Sequence, residues 1–251
     1  LPFEKRFATI MKRLLILFFL FKGLTIFAQT DANKNFFELA DAFFKKYVTS
    51  GQVDYLSLYA NPAELNTLVK YMETEDLSNK SIGYKKAFWM NACNLTVIKS
   101  VVMKQDLKSP KDDRSFFSGE KHLVAREMLT LDEIEHKMLL GAHNDERIHF
   151  AVVCGAEGCP SLASFSYHPD SIEQQILSQT KKVFNDNNFI RLNDVEKTVE
   201  ISKIFDWYKK DFAETGMDMI TYINQYREPK IPVHFKVAYY QYDWNLNIRK
   251  E

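Results

Sequence analysis

Of the three cysteines and six histidines in the 251-residue chain, His149, Cys154 and Cys159 are spaced most suggestively for chemistry. Arg147 to Cys154 is a mostly apolar run that reads as a buried strand, broken at Gly155 into the tight loop Gly155-Ala156-Glu157-Gly158-Cys159-Pro160. Four readings compete. In the first, Cys154 is a nucleophile at the end of the strand, with His149 as its base or orienter. A thiolate needs a histidine or a positive dipole to bring its pKa down from about 8.5. Side chains alternate across a strand, so residues five apart face opposite sides. A bulge, a pairing of His149 with Cys159, or a base elsewhere (His136 or His168) would restore the pair. In the second reading Cys154 and Cys159 form a disulfide, which closes so small a loop that chain entropy adds only about 2 kcal/mol. The bridge would then shape the loop; the spacing is not the Cys-x-x-Cys of a redox couple. In the third, His149, Cys154, Cys159 and His168 are metal ligands, but their spacing matches no familiar zinc pattern, and no metal is expected. In the fourth, each residue is structural and His149 is a hydrogen-bonded core histidine.

Glu135 and His136 upstream, with Asn91 and Asn94, form a second tier of catalytic candidates, and Trp207, Tyr208 and Asp211 could line a ligand pocket. Glu133 is explained as the capping-box partner of Thr130.

These residues must be positioned by the elements around them. Helical spacing runs from Asn35 to Ser50 with Gly51 as a stop, and from Pro62 to Met72. Tyr84 to Met103 is apolar nearly all round, the mark of a buried helix. Asn91 and Asn94 must then find partners inside, because an unsatisfied buried amide costs on the order of a few kcal/mol. Residues 104 to 129 read as irregular, and a helix from Thr130 runs to about Leu140. A helix capped by Asp170 runs to about Asn185. A hairpin then joins Phe189–Leu192 to Thr198–Ile201 around Asn193-Asp194. Helices are expected at Lys203–Glu214 and Met217–Arg227, and a last strand at Ile231–Tyr240 with Val233, Phe235, Val237 and Tyr239 on one face. The expected fold is α+β: a single globular domain whose helical N-terminal half holds a buried central helix packed on a small, mostly antiparallel sheet.

Met11-Lys12-Arg13, the apolar run Leu14 to Phe21 and Ala28 follow the pattern of a secretory signal peptide over residues 11–28, preceded by an upstream extension, 1–10. The apolar stretch is shorter than the roughly 20 residues of a spanning helix, so cleavage leaves no membrane anchor. No cysteine precedes Cys93, so no lipid attachment at the cut is expected. Of 33 basic and 33 acidic residues, removal of 1–28 takes Lys5, Arg6, Lys12, Arg13, Lys22 and Glu4, leaving 28 basic and 32 acidic residues and a net charge of −4. Nucleic-acid binding calls for a concentrated positive footprint, and none is visible. No Gly/Ser- or Pro-rich linker divides the remainder.

Five stretches occur in order: Val53-Asp54-Tyr55; Ala87-Phe88-Trp89-Met90-Asn91-Ala92-Cys93-Asn94; Leu131-Asp132-Glu133-Ile134-Glu135-His136; Arg147-Ile148-His149-Phe150-Ala151 with Cys154-Gly155-Ala156 and Cys159-Pro160; and Phe205-Asp206-Trp207-Tyr208 with Asp211-Phe212. Together they resemble the family catalogued as domain of unknown function 547, over residues 36–248. The family's second stretch usually reads Phe-Trp-Ile-Asn-Ala-Tyr-Asn. Cys93 therefore stands where the family has tyrosine and is not its functional thiol. The resemblance implies a fold-sized unit and positions to inspect; it implies no reaction and no cofactor.

The functional expectation is an exported protein, periplasmic or secreted, performing thiol-dependent hydrolysis or acyl transfer on a peptide or amide substrate of the cell envelope. Cys154 would be the nucleophile, His149 the base, and Cys159 a further candidate. The alternative is a non-catalytic binding or scaffold module with a Cys154–Cys159 disulfide, gripping a small-molecule or peptide ligand.

Overall fold

The computed structural model describes residues 35–250; the expected upstream extension and signal peptide lie outside them. Asn35 caps helix α1 (Phe36–Tyr47) in a reciprocal capping box with Glu38, and the helix buries Phe36, Ala40, Phe43 and Tyr47 together with Phe37 and Phe44. Gly51 does not stop this helix directly. It turns a short hairpin, β1 (Val48–Thr49) with β2 (Gln52–Val53), at φ +85°, where a Cβ would lie 2.6 Å from Ser161 Oγ. Helices α2 (Tyr55–Ala60) and α3 (Ala63–Thr74) follow, capped at Asp54 and opened by Pro62. Ser81 then caps α4 (Ile82–Val102), which is buried around its whole circumference from Lys86 to Ile98. It is enclosed by α2, α3 and two later helices, α5 (131–143) and α6 (Ile172–Phe184). α5 spans 131–143: α-helical at Leu131–Glu133, π-helical over Ile134–Leu140, and α-helical again at Gly141–His143. Its start is the expected Thr130–Glu133 capping box.

The segment expected to be a strand, Arg147 to Cys154, is not one. A 3₁₀ turn occupies Glu146–Phe150, and the chain continues without regular structure past Pro160. This stretch is deeply buried, so its peptide groups still need partners. Side-chain amides supply several of them in place of a neighbouring strand. Asn94 Nδ2 donates to the Ala151 carbonyl at 3.1 Å and Asn94 Oδ1 accepts from Val153 N–H at 3.0 Å. Gln179, on α6, donates to the carbonyls of Phe150 and Ser161 at 3.3 and 2.6 Å. One turn before Asn94, Asn91 holds both peptide groups of Tyr167, at 2.8 and 2.9 Å. Apolar composition alone reads the same for a strand and for this buried coil; the amides of Asn94 and Gln179, which take the place of a strand neighbour, decide between them.

A second core follows in sequence. Hairpin β5 (Ile190–Asn193) with β6 (Thr198–Ile201) lies where a hairpin is expected, with its first strand one residue later and Asn193 paired to Thr198 and not in the turn, and β7 (Lys236–Tyr239) adds parallel to β6. The last strand is shorter than expected; Phe235 is buried but Val233, Val237 and Tyr239 are exposed. The expected helix Lys203–Glu214 breaks at Tyr208 into α7 (Ile204–Trp207) and α8 (Lys209–Ala213), and α9 is confined to Met219–Asn224. Residues 104–129, expected to be irregular, contain a 3₁₀ turn at Pro110–Asp112 and the hairpin β3 (His122–Val124) with β4 (Glu127–Leu129). The fold is a single α+β domain, with Phe150, Phe184, Phe205, Phe212 and Tyr222 packed in edge-on and tilted contacts at the centre of the second core. Among the described residues, no helix is long and apolar enough to cross a membrane.

After β7 the chain returns as a strap, 242–249, across the 154–160 loop. Gly158 N–H donates to Asp243 O and Glu157 N–H to Asn245 O, at 2.8 and 2.7 Å. Val53 N–H donates to Asn247 O, at 2.8 Å. A Cβ at Gly158 would lie 2.9 Å from the Asp243 backbone, so the strap closes this tightly because that residue is glycine. Replacing Asn94 by alanine strands the buried Val153 N–H and leaves the Ala151 carbonyl with only the long 3.4 Å hydrogen bond from the Tyr167 hydroxyl. An unsatisfied buried donor costs about 1–3 kcal/mol, and urea titration is expected to show a loss of that size.

Candidate functional site

The loop from Val153 to Pro160 runs along the seam between the two cores: Cys154 packs against the second, and Cys159 against both. Gly155 turns the chain at φ +83° and thereby brings the two cysteines face to face. Both are free thiols, so the disulfide of the alternative reading is absent from this structure. Cys159 Sγ accepts from Cys154 N–H at 3.0 Å and from the Tyr242 hydroxyl at 3.2 Å, and Cys154 Sγ lies 3.2 Å from the same hydroxyl. Burial pushes the Cys159 thiol up. Hydrogen bonds from the Cys154 thiol, the Tyr242 hydroxyl and the Cys154 and Ala156 backbone amides outweigh that effect and hold Cys159 below the ordinary thiol value. Cys154 moves the other way: its hydrogen bond to Cys159, followed by burial, raises its pKa well above that value. Burial and the two neighbouring sulfurs push the Tyr242 phenol up, so it remains a protonated donor. Of the two sulfurs, the structure prepares Cys159 to carry negative charge.

His149 is turned away from this pair. Its Nε2 lies 2.7 Å from Asp211 Oδ2 and its Nδ1 3.9 Å from Glu135 Oε1. Its ring stacks on Tyr208 with centroids 3.9 Å apart. The Tyr208 hydroxyl donates to Glu135 at 2.9 Å, so the two carboxylates, the phenol and the imidazole form one cluster. Burial lowers the His149 pKa, and the carboxylates of Asp211 and Glu135 offset this only in part. Among the described residues no imidazole is hydrogen-bonded to either sulfur. His168 shares a 3.0 Å hydrogen bond with Ser166 Oγ, and no group of three or more His, Cys, Asp or Glu is placed to hold a metal.

The π-helical stretch of α5 carries Glu135 and His136, and its wider turn sets Glu135 against Tyr208 and His149. His136 and Asp211 line a cavity of about 410 Å³, and Cys159 opens on a separate cleft of about 590 Å³. The 3₁₀ turn carrying His149 is tethered by a buried ion network. Asp145 receives Lys86 at 2.7 Å and a two-pronged Arg147 at 2.8 Å, while Glu173 bonds both cations. Trp207, half exposed, leans on Tyr242, and Trp244 stacks on both. Sequence reasoning missed Tyr242, which lies 83 residues beyond Cys159 in a stretch without motif or periodicity.

Replacing Tyr242 by phenylalanine removes a donor from the Cys159 thiolate. The pH midpoint of Cys159 alkylation, expected below that of an ordinary thiol in the parent, should move upward in the variant. His149 is held neutral by the fold, so the unfolded chain takes up its proton first as pH falls. Stability is therefore lost below about pH 6.5, and urea midpoints of His149→Gln should fall less steeply there.

No curated protein and no solved structure matches the chain. Asn91, Asn94, Glu135, His136, His149, Cys154 and Cys159 all lie within residues 77–184, whereas Tyr208, Asp211 and Tyr242 lie beyond them. That segment matches the model of the family described as Protein of unknown function, DUF547, and it is this family that the chain resembles.

Proposed function

We propose that this chain is a dithiol protein that exchanges electrons with disulfide substrates, with Cys159 as the attacking thiolate and Cys154 as the resolving thiol. One observation carries the reading: two thiols meet at a single tyrosine hydroxyl, with the pKa of one lowered and of the other raised. Such an asymmetric pair suits two successive displacements. The Cys159 thiolate attacks one sulfur of a substrate disulfide, forming a mixed disulfide and releasing the other sulfur as a thiolate. The negative charge on Cys159 is then gone, and with it the largest cause of the raised Cys154 pKa. Cys154 becomes easier to ionise and attacks Cys159, its proton passing to the second departing sulfur. The substrate ends as one thiol and one thiolate, the latter free to take a proton from solvent, and the protein as a Cys154–Cys159 disulfide, oxidised by two electrons; a thiol reductant reverses the change.

The acyl-transfer alternative has less support, because it needs a base to move protons at the sulfur and His149 is committed to two carboxylates. Export, expected from the leader-like residues 11–28, would place the pair where thiols and disulfides interconvert.

Stoichiometry tests the proposal. With dithiodipyridine, the parent should release two thiopyridine molecules per chain and finish as an unmodified intramolecular disulfide by intact mass. Cys154→Ser should release one and retain the adduct; Cys159→Ser should release none rapidly. A stable mixed disulfide on the native parent would sink the redox reading.

A further inference from the structure

The cleft into which Cys159 opens is walled on its far side by the second core, including Asn188, Arg191 and Tyr240. Arg191 is held there in a specific posture. Its guanidinium carbon lies over the Tyr240 ring, 3.8 Å from the centroid, and its Nε donates to the Asn188 carbonyl at 2.9 Å. One face and one donor are thereby fixed, and the outer Nη edge is left over. Among the described residues no carboxylate pairs with that edge. Asp186 and Asp243, in the same cleft, accept from the amides of Asn188 and Asn245 in their own turns. An arginine restrained by stacking and by one hydrogen bond has already lost much of the freedom that binding would cost it. Its free edge has the two-donor geometry that matches a carboxylate.

We infer that Arg191 is the carboxylate-binding residue of this cleft, and that the disulfide attacked by Cys159 is a small carboxylate-bearing one, of amino-acid or short-peptide size. The inference rests on the dithiol reading above and adds a substrate class to it. A cleft of about 590 Å³ accommodates a ligand of that size and not a folded protein domain.

Two disulfide reagents separate the possibilities. Dithiobis-nitrobenzoate carries a carboxylate at each end and dithiodipyridine carries none, so the ratio of their rates at Cys159 reads carboxylate recognition alone. Arg191→Gln is expected to lower that ratio roughly tenfold by slowing only the carboxylate reagent. Arg191→Lys, which keeps the charge and loses the fork, should recover part of it. The neutral reagent reports in each variant whether the thiol pair is intact. An unchanged ratio in Arg191→Gln, or equal slowing of both reagents, would overturn the assignment of Arg191 while leaving the dithiol reading in place. If Cys159 of the parent is inert to both reagents at neutral pH, the dithiol reading falls and this inference falls with it.

Discussion

The arrangement depends on two asparagine side chains projecting from a helix that is otherwise packed with apolar groups. Asn91 and Asn94 lie one turn apart on α4 and spend their amides on the backbone of two buried segments that have no strand neighbour. Each amide offers a donor and an acceptor on one rigid plane, which is what an extended backbone needs from a partner strand. A helix can therefore do locally what a sheet does elsewhere. Because both asparagines are themselves enclosed, the bonds are made in a low-dielectric setting where leaving them unmade would be costly. The coil carrying the cysteines is thereby held without being given the period or pleat of a strand.

That freedom from strand geometry allows the two sulfurs to meet. In a strand, Cys154 would project to one face and the loop would have to carry Cys159 back to it. In the observed coil the turn at Gly155 folds Cys159 under the Cys154 amide, and the strap from the C-terminus closes over the turn at Gly158. The strap also delivers Tyr242. Two sulfurs and one hydroxyl then share few protons in a half-buried place, and the asymmetry of their pKa values follows from which sulfur receives the donors.

The imidazole expected at the thiols belongs to a different cluster. His149 lies between Asp211 and Glu135 and is pressed against Tyr208, on a turn tethered by the Lys86, Asp145, Arg147 and Glu173 network. This network joins α4, the 3₁₀ turn and α6, so the same helix that organises the cysteine coil through neutral amides fixes the histidine through charge. The two kinds of restraint serve the two sides of one seam.

The sequence by itself determined α1, α3, α4, the start of α5 and the presence of a hairpin in the second core, because periodicity, capping boxes and turn residues act over a few positions and are readable there. Thr130 with Glu133, the all-round apolar α4 and a hairpin between Phe189 and Ile201 are of this kind, although its first strand begins one residue later than expected. It also singled out His149, Cys154 and Cys159, and it showed that Asn91 and Asn94 needed partners. What those partners were, and that Cys154 would stand opposite Cys159 and His149 opposite Asp211, was decided by the tertiary structure. Hydrogen bonds between residues 57 or 83 positions apart leave no local period for a sequence to display. Tyr242 is the clearest case: nothing around it marks it as special until the chain closes and its hydroxyl comes to rest between two sulfurs.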